Sequence, residues 1–531
     1  MMQQTETAGV RLAEVVAMLS LATDLGAGFT YEHGLRSCLL ALELARAFGL
    51  GEDACAEVYY LALLRYAGCT ADQQWSVALL GDEIAIAKHI VTADYTNMNV
   101  MLGIMARHVG EDLPPLRRIQ TVLGALTNGM RLGPQDLANH QRAHCEAAQI
   151  TAERLGVGPG VRAALGQAFE YWGGGGPLGL RGEAIALTVR IVQLAENVFD
   201  FFQLGGQAAA ETMARQRAGT LLDPAVCACF CDAAPAILAC LETESSWEAV
   251  LAAEPGPAQA LTGDRLDAAA RAIADFADLK SFYTVGHSAG VAGLATAAAQ
   301  ACHLSEAEIA LVRRAALVHD LGRVGVSLRV WDKPGALTRT EWEQVRLHPY
   351  YTERVLARSA ALAPIGALAA LHHERLDGSG YHKGLPASLL PPAARILAAA
   401  DAYHAMTEPR PHRPALSAEA AAGTLRQGAR SGLFDIEAAN AVLAAAGHRV
   451  RSTRRSHPSG LSEREVAVLR LVSRGLSNKQ MAARLNITDK TVSHHVQHIY
   501  DKIGVSTRAA ATLFAMQHDL IAEAGELAAA G

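Results

Sequence analysis

Residues 319–323 read His-Asp-Leu-Gly-Arg, and residues 372–381 read His-His-Glu-Arg-Leu-Asp-Gly-Ser-Gly-Tyr. Imidazoles and carboxylates are the side chains that bind divalent metal cations. Further residues of these types stand far away in the chain, and no short motif joins them, so only a folded domain could bring them together. The candidate metal ligands are His287, His319, Asp320, His348, His372, His373 and Asp401.

The adjacent pair His319 and Asp320 suits a centre with two cations, because the carboxylate can bridge both while the imidazole binds one. We expect His348, His372 and His373 to complete the second cation site. A lone histidine in a helical domain is usually only packed and hydrogen-bonded. Seven candidate ligands in this order favour a hydrolytic metal centre instead.

Asp401 is expected at the end of an apolar helix, residues 395–400, from which it can reach the first cation beside His287. A phosphodiester also needs cationic side chains for its non-bridging oxygens. Arg323 and Arg410 are the residues that we assign to this role. Together with Asp320 they form the predicted catalytic set.

The composition favours an all-α fold. The chain has 531 residues, of which 50 % are hydrophobic but only 5 % aromatic, and alanine is abundant. This length suits about three domains, and apolar residues recur at helical spacing, as at Ile309, Val312 and Ala316. Alternation typical of strands is scarce.

The sequence also bears on the compartment. We see no apolar run of about 18 residues, so we expect no membrane span. The first residues lack the basic start of a signal peptide, so we expect a cytoplasmic protein. The nine cysteines fit that compartment. Cys227, Cys229 and Cys231 form a Cys-x-Cys-x-Cys run, which is interpreted as ordinary packing, with a metal or redox site as the alternative.

The distribution of charge and of turn-forming residues divides the chain into segments. Between Arg449 and Met516 there are 12 Lys or Arg and 4 Asp or Glu, a local charge of +8 in a chain of net charge −6, which indicates a polyanion partner for this part. Glycine, proline and basic stretches mark the other boundaries. The predicted segments are a first helical domain at 8–205, a helical connector at 206–260, a second helical domain at 261–446, a basic linker at 447–459 and a small terminal domain at 460–525.

The first and second domains resemble each other. His33 precedes His287 by 254 residues, and Glu196 precedes Asp401 by 205. An insertion of about 50 residues in the first domain explains the change of offset, and a tandem duplication is the simplest account. The alternative is a helical domain that is alike only in composition. We call the two domains the first copy and the second copy.

The copies differ where metal chemistry matters. Arg65-Tyr66 replaces His319-Asp320, and roughly Gln167-Ala168 replaces His372-His373. A guanidinium repels a cation, so the first copy is expected to bind no pair of metals. We interpret it as a sensory or dimerising domain.

Residues 280–415 resemble the HD superfamily of metal-dependent phosphohydrolases, and within it the HD-GYP group. The resemblance rests on the ligands named above, on Thr338 with Glu341, and on the stretch 372–381. It implies an all-helical fold, a two- or three-metal site of iron or manganese, and hydrolysis of cyclic di-GMP to the linear dinucleotide or to GMP. The residues expected to bind the substrate are Arg323, Asp377, Gly378, Gly380, Tyr381 and Arg410.

Four positions depart from the family pattern. His382 stands where the family has proline, and Arg323 where it has lysine. His404 replaces an aspartate, and Tyr283 stands where three-metal members carry a glutamate. We therefore expect two divalent cations, iron or manganese, rather than three.

Residues 461–515 resemble the LuxR/NarL-type helix-turn-helix, which implies a four-helix domain that binds double-stranded DNA, usually as a dimer. Ser462 with Glu465 forms a predicted capping box, Gly475 ends the first helix, and Thr488 caps the third. The expected base contacts are Ser493, His494 and Gln497. The expected phosphate contacts are Lys479, Lys490, Thr491, Lys502 and Arg508.

The favoured hypothesis is a cytoplasmic signalling regulator, a homodimer, that joins a two-metal phosphodiesterase for cyclic di-GMP to a DNA-binding module. Two alternatives stay open. One is a transcription factor that senses a nucleotide at the metal site without appreciable turnover. The other is an HD phosphohydrolase for a different nucleotide.

Overall fold

The computed structural model describes residues 9–71, 73–90, 93, 98–111, 114–131, 134–450, 458–518 and 520–521. About 69 % of the chain is helical. The strands of the described ranges form one short antiparallel pair, β1 (Val10–Arg11) with β2 (Ala260–Leu261). The predicted all-α fold is confirmed. The chain divides into two compact units after His448, and each is described by itself.

The helices follow one another through both units. Those before β2 are α1 (Leu12–Ala27), α2 (His33–Ala47), α3 (Glu52–Leu64), α4 (Gln73–Leu80), α5 (Glu83–Ile90), α6 (Met98–His108), α7 (Pro115–Arg131), α8 (Pro134–Arg154), α9 (Pro159–Leu165), α10 (Leu187–Arg217), α11 (Pro224–Leu238) and α12 (Ser246–Ala252). The rest of the first unit contains α13 (Gly263–Asp278), α14 (His287–Ala301), α15 (Glu306–Val318), α16 (Leu328–Trp331), α17 (Arg339–Arg346), α18 (His348–Leu356), α19 (Ala363–Ala369), α20 (Pro392–Thr407), α21 (Ala418–Arg430) and α22 (Ile436–Ala445). The second unit contains α23 (Glu463–Ser473), α24 (Asn478–Leu485), α25 (Asp489–Ile503) and α26 (Arg508–Gln517).

Helix lengths repeat between the copies. Helices α2 and α14 have 15 residues each, α3 and α15 have 13 each, and both pairs keep the offset of 254. Helices α9 and α19 have seven residues each at an offset of 204. Helices α4 to α7 lie between these matched sets, where the first copy has its extra residues. These matches support a duplication with an insertion.

A close backbone approach also occurs in both copies. A Cβ placed on Gly68 would lie 1.9 Å from the carbonyl oxygen of His144, and one on Gly322 would lie 2.0 Å from that of His348. Glycine is needed at both positions because any larger residue would push the two segments apart. The two pairs are related by the same offsets as the helices, which again supports the duplication.

The predicted boundary at residue 205 falls inside α10. The backbone there is not helical at Gly205 and Gly206, so α10 consists of two helical segments joined by a kink. The first copy and the connector therefore share this element.

The sequence analysis found no apolar run of about 18 residues, but the described residues contain one. The 18 residues from Pro224 to Leu241 have a mean hydropathy of 1.8, so among the described residues one segment is long and apolar enough, by these measures alone, to cross a membrane. Of this segment, 39 % is buried, and α11 packs on α2 and α10. Cys227, Cys229 and Cys231 lie on α11 as free thiols, and burial raises the pKa of each.

The close approach at Gly322 generates a prediction. Gly322→Ala should destabilise the first unit by about 1–3 kcal/mol, because the added methyl group overlaps the backbone carbonyl of His348. The measurement is the midpoint of chemical unfolding followed by circular dichroism. Gly293→Ala is the matched control, since Gly293 on α14 has open space around its Cα, and its change should stay within about 1 kcal/mol. Equal stability of the two variants would contradict the packing argument.

Candidate metal centre and nucleic-acid interface

The predicted ligands converge from the ends of helices. His287 is the first residue of α14, and His348 is the first residue of α18. His319 directly follows α15, and His372 lies three residues after α19. All the candidate ligands are buried except His373, whose side chain is 22 % exposed. Asp401 lies inside α20, which runs to Thr407, so its expected position at the end of a short helix is wrong.

The carboxylate of Asp320 lies between two groups of imidazoles. Its Oδ1 is 3.4 Å from Nε2 of His348 and 3.6 Å from Nε2 of His372. Its Oδ2 is 3.6 Å from Nε2 of His319 and 3.9 Å from Nε2 of His287. One oxygen therefore faces each group, so Asp320 would offer one oxygen to a cation held by either group.

Asp401 closes the other side of the centre. Its Oδ1 is 3.2 Å from Nε2 of His287 and 3.8 Å from Nε2 of His319, while its Oδ2 is 3.8 Å from Nδ1 of His373. Potential ligand atoms fall into compact sets within 4.8 Å of one another. Two of these sets correspond to the predicted division, namely His287, His319 and Asp401, and His348, His372 and His373.

Hydrogen bonds fix which ring nitrogens can bind a metal. Nδ1 of His319, His348 and His372 each lies 2.6–2.7 Å from the carbonyl oxygen three residues earlier. A carbonyl accepts only, so Nδ1 carries the proton and Nε2 carries a lone pair. Such an arrangement is the one that metal-binding histidines use.

These lone pairs fit bound cations. Nε2 of His319 is buried and has no hydrogen-bond partner among the described residues. Nε2 of His348 and Nε2 of His372 lie 3.0 Å apart, and two lone pairs at that distance repel each other. A cation between the imidazoles and the carboxylates would remove both penalties.

The protonation states also suit metal binding. Burial lowers the pKa of His372 to about 3 and holds that of His373 well below its ordinary value. Burial acts to raise the pKa of Asp320 and Asp401, but the surrounding imidazoles keep both well below the ordinary value. His372 and His373 are therefore neutral near neutral pH, whereas Asp320 and Asp401 are ionised.

Glu408 is a residue of the centre that the sequence analysis did not identify. Its Oε2 lies 2.8 Å from Nδ1 of His287 and accepts a hydrogen bond from Arg410 at 2.9 Å. This contact leaves Nε2 of His287 directed at Asp401. Burial acts to lower the pKa of His287, but Asp401 and Glu408 raise it to about 9. A proton and a cation therefore compete for this ring.

A cavity of about 630 Å³ opens on the metal centre. Arg323 and Arg410, which were predicted to bind phosphate, both line this cavity. Tyr381 and Trp331 line it too. The Arg323 guanidinium lies 3.8 Å from the centre of the Trp331 ring, and one of its nitrogens lies 3.3 Å from Oδ2 of Asp320.

Three predicted substrate contacts lie elsewhere. Asp377, Gly378 and Gly380 are not among the described residues that line the cleft. Asp377 is exposed and accepts hydrogen bonds from the amide and hydroxyl of Ser379, which forms a turn. A Cβ on Gly380 would lie 2.5 Å from the backbone of Arg375. These residues shape the loop that presents Tyr381.

The second unit contains the predicted helix-turn-helix geometry. Ser462 with Glu465 and Ser477 with Gln480 form capping boxes, and Thr488 caps α25. On α25, Val492 and Ile499 are buried in the core. The predicted base-reading residues are exposed on the same helix: Ser493, His494 and Gln497.

The predicted phosphate contacts divide into two groups. Lys479, Lys490 and Thr491 are exposed. Lys502 donates to Glu465 at 2.7 Å, and Arg508 donates to the carbonyl of Leu476 and to Asn478. The last two cations therefore stabilise the domain itself, and this role competes with contacts to DNA.

Comparison with known proteins places the chain in a family. The HD domain model matches residues 271–438, and the model of the luxR family of bacterial regulatory proteins matches residues 459–515. The 3'3'-cGAMP-specific phosphodiesterase 3 of Vibrio cholerae is 30 % identical over 424 residues, which cover 78 % of this chain and 90 % of that protein. This chain belongs to the HD-GYP family of phosphodiesterases. Both resemblances predicted from the sequence are confirmed.

Two further similar proteins are also named as phosphodiesterases of cyclic dinucleotides. The cyclic di-GMP phosphodiesterase response regulator RpfG of Xanthomonas campestris is 39 % identical over 155 residues, or 29 % of this chain and 40 % of that protein. A crystal structure of a cyclic GMP-AMP specific phosphodiesterase from Vibrio cholerae matches with a TM-score of 0.55 and 27 % identity, covering 83 % of this chain and 99 % of that one.

A buried glutamate holds the loop of the HD-GYP motif in place. Glu374 accepts hydrogen bonds from the backbone amides of Lys383, Gly384 and Leu385 at 2.8–3.2 Å. In the first copy, Glu170 accepts from the amides of Leu178 and Leu180. The sequence analysis assigned no role to these carboxylates.

This correspondence shifts one alignment. Glu170 and Glu374 differ by 204, so His372-His373 correspond to Ala168-Phe169 rather than to Gln167-Ala168. At the place of the metals, the first copy has an ion pair in which Nε of Arg65 lies 2.7 Å from Oε2 of Glu196. This pair supports the expectation that the first copy binds no pair of metals.

Two of the four departures from the family pattern, His404 and Tyr283, lie near His287 and Arg410. Nδ1 of His404 is 3.3 Å from Nδ1 of His287 and 3.3 Å from Oε1 of Glu408, and Tyr283 accepts a hydrogen bond from Arg410 through its carbonyl. The number of metals stays a prediction.

Glu408 generates a testable expectation. Glu408→Gln should weaken Mn²⁺ binding about 10- to 100-fold, because the ring of His287 loses the carboxylate that orients it. Titration calorimetry on the full chain measures this affinity. Glu437→Gln on the exposed start of α22 is the control and should bind as the native chain does. Native affinity in Glu408→Gln would show that His287 is oriented by other contacts.

Proposed function

We propose that this chain hydrolyses a 3',3'-linked cyclic dinucleotide that contains guanine and that its terminal domain binds double-stranded DNA. The observation that carries the enzymatic part is the position of Asp320, with one oxygen facing each imidazole group at the base of a cleft. Mixed imidazole and carboxylate donors suit iron or manganese. Two such cations, when bound, would supply Lewis acidity toward the phosphodiester and toward the attacking water.

The residues of the cleft have separate tasks. Arg323 and Arg410 present positive charge beside the centre and would hold the non-bridging phosphate oxygens. The Trp331 indole holds the Arg323 guanidinium in place through a cation–π contact. Tyr381 and Trp342 add aromatic surface to the same cleft, on which a nucleobase can stack.

Two substrates deserve a direct comparison. Cyclic di-GMP is the substrate that the sequence motifs favour, and it is named for relatives that match 27–29 % of this chain. The relative that aligns with both copies is named for 3'3'-cGAMP. Both compounds share a guanine nucleotide and the same 3',5' linkage, so both fit the proposed chemistry.

The activity is tested with the full chain loaded with Mn²⁺ or Fe²⁺. We expect linear dinucleotide or mononucleotide products by chromatography, and we expect Asp320→Ala to lower the rate by at least about 100-fold because both cations lose their shared ligand. Glu437→Ala is the control, since Glu437 is exposed at the start of α22 and does not line the cleft. Equal rates for the native chain and Asp320→Ala would remove the enzymatic proposal. Binding without product would favour the nucleotide-sensing alternative.

The DNA-binding proposal rests on the exposed polar face of α25 and on the exposed cations near it. Lys490 lies at the start of α25 and would contact a phosphate, whereas His494 would meet a base edge. Such domains act in pairs on adjacent half-sites, so we also propose a homodimer, which light scattering of the full chain can test.

The two roles predict different defects. Lys490→Ala should weaken binding to all DNA sequences and lower the slope of log affinity against log salt by about one. His494→Ala should lose about 1–3 kcal/mol of discrimination at one base position and keep the salt slope. Fluorescence anisotropy on a site selected from random DNA measures both. The proposed interface would be wrong if neither variant differed from the native chain.

A further inference from the structure

The first copy contains a cavity of about 280 Å³ where the second copy has its metal centre. The rings of Phe29, Tyr66 and Phe169 line it, and Arg65 and Glu196 lie in its wall. Phe29 and Tyr66 meet edge to face at 4.8 Å. The cavity is therefore narrow, aromatic and charged, and its size suits a nucleobase rather than a whole cyclic dinucleotide.

Two buried N–H donors in this cavity have no acceptor in the part of the chain that the structure describes. Arg65 is only 6 % exposed, and its Nη1 has no hydrogen-bond partner among the described residues. Nε1 of Trp75 on α4 is also buried and has no hydrogen-bond partner among the described residues. A buried polar group without a partner is costly, so these two N–H groups indicate a ligand that carries acceptors.

The cavity also offers acceptors to a ligand. The carboxylates of Glu196 and Asp200 line it together with the guanidinium of Arg65. Guanine has an acceptor edge at O6 and N7, which arginine recognises, and a separate donor group at N2. A planar base with both edges matches a guanidinium, two carboxylates and aromatic walls.

We propose that the first copy binds a guanine base in this cavity and that its occupancy affects the metal centre. The base could belong to a nucleoside, a mononucleotide or a cyclic dinucleotide with one base inserted. This proposal concerns a site in which Arg65 and Phe169 stand where the second copy has metal ligands, and the site is separate from the cleft of the second copy.

Helices α4 and α5 connect the two cavities. Trp75 lines the first cavity, and its neighbour Gln74 hydrogen-bonds Asp332, which lines the metal cleft. Glu83, at the start of α5, accepts hydrogen bonds from the hydroxyl of Ser327 at 2.7 Å and from the amide of Leu328 at 2.8 Å. Ser327 and Leu328 stand at the start of α16, and the last residue of that helix, Trp331, lines the metal cleft. A ligand that moves α4 therefore moves the wall of the metal cleft.

Binding is tested by calorimetry with the metal-free full chain and guanosine, GMP, cyclic di-GMP and adenosine. We expect at least one guanine compound to bind, and adenosine to bind at least about tenfold more weakly, because it lacks the matching edges. Trp75→Phe should weaken binding about tenfold through one lost hydrogen bond. Trp172→Phe, which lies outside the cavity against Arg190, is the matched control.

Two further variants locate the site. Asp320→Ala removes the metal centre and should bind guanosine, which has no phosphate for the cleft of the second copy, as the native chain does. Arg65→Lys keeps the positive charge beside Glu196 but replaces the three guanidinium nitrogens by one ammonium nitrogen, so it should weaken guanine binding. This variant tests the site even if Trp75→Phe folds poorly. The proposal is overturned if no guanine compound binds, if adenosine binds as tightly, or if Asp320→Ala abolishes binding while Arg65→Lys preserves it.

The connection is tested without catalysis, so its failure is distinct from failure of the proposed hydrolysis. A bound guanine compound should change the Mn²⁺ affinity of the full chain about fivefold or more, and Mn²⁺ should change the affinity for that compound by the same factor. Glu83→Gln should reduce both changes and leave binding in the first cavity within about twofold of native. Unchanged Mn²⁺ affinity in the native chain would overturn the connection.

Discussion

The metal centre depends on helix ends whose carbonyl groups have no partner within the helix. The last carbonyls of an α-helix lack intrahelical donors, and the Nδ1–H groups of His319, His348 and His372 donate to such carbonyls at the ends of α15, α17 and α19. One hydrogen bond thus completes a helix terminus and also fixes the tautomer of a ligand. Three rings oriented in this way place their lone pairs around Asp320. The remaining ligands add charge and complete the two groups.

The same scaffold in the first copy carries different chemistry. Helices of equal length, a glycine at the same close approach and a glutamate that holds the following loop all occur in both copies. Three of the five imidazoles are replaced, by an arginine, an alanine and a phenylalanine, whereas His33 and His144 keep the places of His287 and His348. Loss of the ligands therefore left the frame intact, because the frame depends on packing and on backbone hydrogen bonds that do not involve the metal ligands.

The ligand set could be predicted from the sequence because each residue type has few other uses in such a pattern. Glu408 could not, since a glutamate seven residues after Asp401 resembles any polar residue at the end of a helix. The loop residues Asp377, Gly378 and Gly380 were assigned to substrate because the motif includes them; the structure shows Asp377 in a turn with Ser379, and their contact with substrate stays a prediction. Lys502 and Arg508 were predicted to contact phosphate. In the folded domain, they donate hydrogen bonds to Glu465 and Asn478, which the sequence did not predict.

Because Arg65 is paired with Glu196, the first copy and the second copy differ in their dependence on cations from solution. In the first copy, opposite charges are both part of the polypeptide, so the interior is neutralised as soon as the chain folds. In the second copy, clustered carboxylates and lone pairs face one another and need cations from solution. Removal of divalent ions would therefore loosen one half of the molecule while the other half keeps its shape and continues to hold the strand β2 against β1.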